Sequence, residues 1–290
     1  MKPLLSTAIS LVLLASCQQA PPEAGVADFL DCLRENEFSM LAAHRAGPAE
    51  GTPENSLTAL RRSAELGSVF VEVDVAQTSD GILVLMHDRT LDRTTTGQGR
   101  LSELTFPELS EVRLVDPDGA PIDEPIPTLA AALELADELG IYLELDLKSV
   151  SVESVAEIVD AAGLTADTVL IAYNVEDVAR AHRAARGWAI SAPNDIPALD
   201  AAGVPRDRLL VWLGVGQPDS AADAELADLS IESGAGLFRL ETGDPDVYTL
   251  AAAAGVELLS VDNVQAASDA LGGAEQLGEQ IAFCRAAIAG

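Results

Sequence analysis

Two kinds of segment alternate along most of the chain. Short β-rich runs stand between longer Ala-rich stretches of helical character. The strand candidates are Ser39–Arg45, Val69–Val75, Ile82–His87, Ile141–Leu147, Thr168–Tyr173, Trp188–Ala192, Leu209–Gly214, Leu237–Glu241 and Val256–Val261. Helices are predicted between most of them, for example over Ser56–Leu66, Leu129–Leu139, Val152–Ala162, Val175–Ala185 and Asp246–Ala254. Such alternation predicts a parallel sheet.

One connection breaks the rhythm. Only Ala76-Gln77-Thr78-Ser79-Asp80-Gly81 separates Val75 from Ile82, and a parallel crossover needs about a dozen residues. Asp80-Gly81 is a hairpin turn pair. Ile82–His87 should therefore return antiparallel along the extended second strand, with Gln77 near Leu83–Val84 and Asp74 near His87. The eight remaining strands predict an α/β fold, a closed (β/α)8 TIM barrel; an open doubly wound sheet is the alternative. Residues 88–127, rich in Pro, Gly and Thr, do not fit the alternation. They read as an insertion after the second strand, on the C-terminal rim. Gly-rich phosphate loops of the Rossmann or P-loop type are absent from the sequence.

The N-terminus reads as an address. Lys2 precedes an apolar run from Leu4 to Leu14, too short for the ~20 residues that span a bilayer but suited to a secretory signal. Leu14-Ala15-Ser16-Cys17 resembles a bacterial lipobox, in which the Cys becomes the lipidated first residue. Residues 1–16 are thus read as a signal peptide, 17–36 as a tether and N-terminal segment, and 37–290 as the barrel domain. The expectation is an exported lipoprotein, anchored at Cys17 and facing the periplasm or cell exterior. Export places Cys32 and Cys284 in an oxidising compartment. A bridge between them would tie together two termini that often lie close in compact domains.

Composition narrows the partners. Asp plus Glu number 47 against 17 Lys plus Arg, a net charge of −30. This excludes the basic face a nucleic-acid binder needs and a polybasic patch for anionic lipid. An anionic substrate would need local cations to overcome the long-range field. Lysine occurs only as Lys2 and Lys148, so Lys148 is the sole lysine of a processed chain.

Chemistry collects at strand ends. The first strand ends in His44-Arg45. In the second, Glu72 and Asp74 are two apart and share a face among apolar neighbours. Buried together, they would repel unless a cation or proton sat between them. The hairpin arm ends in His87-Asp88, and the next strand puts Glu144, Asp146 and Lys148 on one face. Charge placed at the C-terminal ends of several strands is where barrel active sites lie. His182 reads as part of a solvated helix face, Trp188 and Trp212 as core or rim residues, and Asp262 as a candidate substrate hydrogen-bonding group.

The stretches "AHRAG…PENS", "VEVDVAQTSDGILVLMHDRTLDRTTTGQG", "IPTLAAALELA" and "LELDLKS" resemble the glycerophosphodiester phosphodiesterases, a branch of the phosphatidylinositol phospholipase-C-like barrels. The likeness runs from His44 to Ser149. Glu72 to Gly99 is its most specific part, and it fades downstream. The resemblance implies that Glu72 and Asp74 are metal ligands. Asp146, two residues before Lys148, stands where the family has Glu, and Glu144 is the alternative or additional ligand. It further implies His44 and His87 as the acid–base pair, and Arg45 and Lys148 as phosphate-contacting cations. Glu54 and Asn55 match an element near the site, although Pro53-Glu54-Asn55 before Ser56 also reads as a helix start. The family's His-Arg-Gly is here His44-Arg45-Ala46-Gly47.

An all-oxygen ligand set selects a hard cation, Mg²⁺ or Ca²⁺. The expected activity is metal-dependent hydrolysis of glycerophosphodiesters to glycerol 3-phosphate and an alcohol by His44 and His87; the sequence does not assign base and acid between them, and His44 as base with His87 as acid is the preferred order. The alternatives are a phospholipase acting on intact or lysophospholipids, and a catalytically idle lipoprotein that binds phosphodiesters.

Overall fold

The computed structural model describes residues 25–238, 240–241 and 246–289. The signal peptide and the Cys17 anchor lie outside them. The strands are β1 (Met40–Ala43), β2 (Phe70–Gln77), β3 (Leu83–Leu85), β4 (Tyr142–Leu147), β5 (Thr168–Ile171), β6 (Ala189–Pro193), β7 (Leu209–Val215), β8 (Glu232–Gly236) and β9 (Leu258–Val261). All neighbours pair in parallel except β2 with β3, and β1 pairs with both β2 and β9. The eight parallel strands therefore close into a barrel, and β3 is the antiparallel arm that the short Ala76–Gly81 connection required. Met86 N–H bonds the Asp74 carbonyl at 2.9 Å, and His87 follows directly.

Helices α2 (Leu57–Glu65), α3 (Leu129–Leu139), α4 (Val152–Ala162), α5 (Val175–Ala184), α6 (Ile196–Ala201), α7 (Ser220–Ala227), α8 (Val247–Ala253) and α9 (Val264–Ala270) surround the barrel. Their starts are written in the sequence. Ser56, Thr128, Ser151, Asn174 and Asn263 each accept a backbone N–H from the first turn of their helix. Along β2, Val71, Val73 and Val75 are fully buried against the helical layer. The alternation consequently turns Glu72 and Asp74 into the lumen.

Two helices close the opposite end. Helix α1 (Val26–Glu35), within the segment read as a tether and N-terminal segment, buries Val26, Phe29, Leu30 and Leu33. Phe29 packs on Phe70 and Tyr142, the first residues of β2 and β4, with ring centroids 5.9 and 5.2 Å apart. Arg34 Nε donates to Glu232 at the start of β8 at 2.7 Å. Cys32 and Cys284 form a disulfide, Cα–Cα 5.7 Å, that ties α1 to α10 (Gly273–Ile288). Among the described residues no helix is long and apolar enough to cross a membrane.

The seventh barrel strand, β8, differs from expectation. Leu237–Glu241 carries the apolar pattern, yet β8 is Glu232-Ser-Gly-Ala-Gly236. Small residues serve there because Trp212 of β7 lies across them: a Cβ on Gly236 would sit 3.0 Å from the indole ring. The first strand also stops at Ala43, and His44–Ala46 form a 3-10 turn. Residues 88–127 contain two short 3-10 turns, Leu101–Glu103 and Phe106–Leu109, over a small core of their own that includes Met86, Leu91, Leu101, Leu109, Leu114 and Ile126.

Candidate active site

Strands β2 and β4 pair with Glu72 opposite Glu144 and Asp74 opposite Asp146. The four carboxylates therefore stand in two layers, each side chain no more than a few per cent exposed. Ligand oxygens of Glu72, Asp74 and Asp146 lie within 4.8 Å of one another. Glu144 is in the same cavity but outside that convergent set. Lys148 Nζ bridges Asp74 at 3.0 Å and Asp146 at 2.6 Å. Arg45 donates its backbone N–H to Glu72 at 2.6 Å.

These charges are not balanced. Burial, then the charge of Asp74, holds the Glu72 carboxyl well above its ordinary range. Burial alone pushes Glu144 up to about 8. Burial works against the Lys148 ammonium, but Asp74 and Asp146 outweigh it and raise its pKa. The donor set fits a hard divalent ion. Ligands around Mg²⁺ or Ca²⁺ stand roughly 2.0–2.6 Å from the metal, so oxygens across it are up to about 5 Å apart.

Asn55 holds the cluster in place. Its Nδ2 donates to Asp74 Oδ2 at 2.7 Å, and its Oδ1 accepts the Asp74 N–H at 2.9 Å. Ser56, not Asn55, caps α2. Arg45 and Ala46 both have left-handed backbones, φ 50° and 67°. For Ala46 this costs about 1–2 kcal/mol relative to glycine. Gly47 follows with φ 75°, where a Cβ would meet Ser63 Oγ and Val264 Cγ2 at 2.6 Å. This cramped turn aims the Arg45 N–H at Glu72 and the His44 ring into the cavity.

Each imidazole has a carboxylate behind it. His44 Nδ1–H donates to Asp262 at 2.8 Å, and its ring stacks on Phe238, centroids 4.5 Å apart. The other nitrogen, Nε2, is left as the acceptor. His87 Nδ1–H donates to Asp88 at 2.7 Å, and its Nε2 accepts from Arg45 Nη2 at 2.9 Å. Arg93 grips Asp88 at 2.7 and 3.0 Å and Glu54 at 2.7 and 2.9 Å. Its hydrogen bonds, with those of His87, hold the Asp88 carboxyl well below the usual carboxylate range despite partial burial.

The cavity over the barrel mouth measures about 260 Å³ and contains His44, Glu72, Glu144 and Asp146. Tyr173 also faces it and donates its O–H to Asp146. Although the ring is largely exposed, its hydroxyl is drawn down beside Asp146, and desolvation there, then that hydrogen bond, raise the Tyr173 pKa. The structure thus gathers His44, Arg45, Glu54, Asn55, Glu72, Asp74, His87, Glu144, Asp146 and Lys148 into one region, while His182 stays on the last turn of α5. It adds Asp88, Arg93, Tyr173 and Phe238, and it gives Asp262 the His44 imidazole as its partner. Trp212 walls the cavity and Trp188 is core.

Comparison with known proteins agrees with this geometry. Residues 44–186 match the glycerophosphoryl diester phosphodiesterase family. Glycerophosphodiester phosphodiesterase 1 of Homo sapiens is 44% identical over 126 residues, which cover 41% of this chain and 37% of that protein. A glycerophosphodiester phosphodiesterase of Caldanaerobacter subterraneus is 37% identical over 112 residues, 38% of this chain and 46% of the other. The chain spans less than half the length of these curated relatives. Among solved structures, a glycerophosphoryl diester phosphodiesterase from Parabacteroides distasonis superposes with a TM-score of 0.79 at 22% identity, covering 86% of this chain and 92% of that one. An Oleispira antarctica phosphodiesterase, in complex with the product sn-glycerol-3-phosphate, superposes with a TM-score of 0.64 at 21% identity, over 82% and 98% of the two chains. At these identities the structural likeness shows the fold.

Proposed function

We propose that this chain is a member of the glycerophosphoryl diester phosphodiesterase family, whose pattern residues 44–186 match, and that it hydrolyses glycerophosphodiesters to glycerol 3-phosphate and an alcohol. One observation carries the reading: three buried carboxylates converge beside a cavity into which His44 points, and Arg45 links that cavity to His87. Glu72, Asp74 and Asp146 would hold Mg²⁺ or Ca²⁺. Bound there, the ion supplies charge neutralisation and polarises the P–O bonds of the diester.

The chain's own groups do the rest. Arg45 and Lys148 meet the non-bridging oxygens and stabilise charge that grows in the transition state. His44 Nε2, its tautomer fixed by Asp262, takes the proton of the attacking hydroxyl as the new P–O bond forms. His87 Nε2 is occupied by Arg45 in the resting site; once Arg45 turns to the phosphate, a His87 protonated at both nitrogens, with Asp88 behind Nδ1, gives its Nε2 proton to the departing alkoxide as the old P–O bond breaks. Each transfer is worth roughly 10²–10⁴-fold. The disulfide supports an oxidising compartment, consistent with export and a lipid anchor at Cys17.

The test is coupled detection of glycerol 3-phosphate from a panel of glycerophosphodiesters, with Mg²⁺, Ca²⁺ or chelator. Turnover should require the metal. His44→Ala and His87→Ala should each lower kcat by roughly 10²–10⁴-fold. Full activity in either variant overturns the assigned roles, and binding without turnover under every metal supports the idle-lipoprotein reading.

A further inference from the structure

Each of the three convergent carboxylates is held by a donor outside the set. Glu72 Oε2 accepts the Arg45 N–H, and Asp74 Oδ2 accepts from Asn55. Asp146 takes two donors on one atom: its Oδ2 accepts from Lys148 Nζ at 2.6 Å and from the Tyr173 hydroxyl. Lys148 is shared, since its Nζ also reaches Asp74 at 3.0 Å. A phenol has a single proton to give, and Tyr173 gives it to Asp146. Strand register brings these groups together. Leu145 of β4 pairs with Leu170 of β5, and Lys148 and Tyr173 each come three residues later and reach back to Asp146. Tyr173 gains little from burial, with 68% of its surface exposed. A ring held in this way is placed by its polar end. Tyr173 and Asp146 also line a second cavity of about 190 Å³, over residues 149–153 at the start of α4. The phenol is thus part of the partition between the two openings.

A carboxylate oxygen offers two lone pairs. Lys148 and Tyr173 fill those of Asp146 Oδ2, which leaves Oδ1 for a cation. When a substrate phosphate engages Lys148, Tyr173 is the donor that remains. The geometry points to Tyr173 as a positioning residue for the divalent ion: its hydroxyl fixes the rotation of the Asp146 carboxylate, so that the third ligand stays in place while Lys148 turns to substrate. This rests on the reading of Glu72, Asp74 and Asp146 as the ion's ligands, and it adds the group that tunes their affinity. Side chains that orient metal ligands are worth roughly 10–100-fold in affinity.

The test is metal binding, with Mg²⁺ and Ca²⁺ titrated calorimetrically into the full protein stripped of metal. Tyr173→Phe removes one oxygen and keeps the ring, and it should weaken binding by roughly 10–100-fold. Tyr173→Leu should lose no more than Tyr173→Phe, because the hydroxyl and not the ring holds Asp146. In glycerophosphodiester assays the metal concentration for half-maximal rate should rise by the same factor, with kcat at saturating metal largely kept. A residue that only supported the fold would lower Tm in Tyr173→Phe and leave its metal affinity unchanged. Unchanged affinity in Tyr173→Phe, or a loss confined to Tyr173→Leu, overturns the assignment. If wild type binds the ion, Tyr173→Phe weakens it and no diester is cleaved, the positioning role stands and the phosphodiesterase reading falls. A wild type that binds neither ion overturns the positioning role and the ion site together.

Discussion

Asp262 sets what His44 can do. It lies 218 residues away in sequence, yet its carboxylate holds the Nδ1 proton at 2.8 Å. That leaves the Nε2 lone pair toward the cavity and gives the imidazolium a counter-charge after proton transfer. Asp262→Asn preserves size but removes that charge and can present an N–H where an acceptor is needed. We predict a fall in kcat of roughly 10²-fold or more, with KM changed far less; an unchanged kcat would remove Asp262 from the mechanism. The pairing could have been found in the sequence. In a closed barrel the last strand lies beside the first, and β1 and β9 pair as Ala43 with Val261, so the next residues are His44 and Asp262. The inward carboxylates were legible because strand side chains alternate with period two. The choice between Asp146 and Glu144 was not, since both face inward and only side-chain reach in three dimensions separates them. Arg93 was equally hidden: it binds Glu54 and Asp88 across an irregular insertion whose path no periodicity reports.

At the scale of elements, the barrel strands and the β2–β3 arm followed from pattern and connection length. The exceptions have one cause. Strand β8 is built of small residues because a neighbouring indole fills the space a side chain would take, and single-chain propensity does not see neighbours. Helix α1 went unassigned in the N-terminal segment for a similar reason, since its apolar face is justified only by the barrel floor it covers. The disulfide fixes that floor: it closes a sequence separation of 252 residues, worth about 5 kcal/mol on the chain-entropy argument and more often about 2–4 in practice. Cys284→Ser, or reduction of the wild type, should lower Tm by roughly 4–8 °C. Because the bridge lies at the end opposite the mouth, kcat/KM at 25 °C should hold. Loss of activity without loss of stability would mean that α1 communicates with the site.

For the whole molecule the decisive quantity is buried negative charge. Besides the mouth, carboxylates are buried under α1 at the start of β8 and β9. Burial pushes Glu257 up to about 7, with Asp223 and Glu232 adding to the effect and the Ser233 N–H opposing it. Burial also takes Glu232 to about 7, although Arg34 pulls the other way. A carboxyl whose folded pKa lies above its unfolded value keeps its proton longer in the native state. Its stabilising contribution is therefore complete below the unfolded pKa, near 4.5, and is lost as pH rises through about 7. The groups held low, Asp88 and Asp116 among them, act in the opposite sense but only below about pH 4. Between pH 8 and 5.5 stability should thus rise on acidification, by about 2 kcal/mol from Glu257 alone, or roughly 4 °C in Tm. Mutual repulsion within a chain of net charge −30 works in the same direction. Thermal scans across this range, with metal in excess to keep the mouth constant, should show the rise, and Glu257→Gln should flatten it. A Tm that falls on acidification in wild type would mean that Glu257 and Glu232 are ionised in the native protein and stabilised by partners strong enough to outweigh their burial.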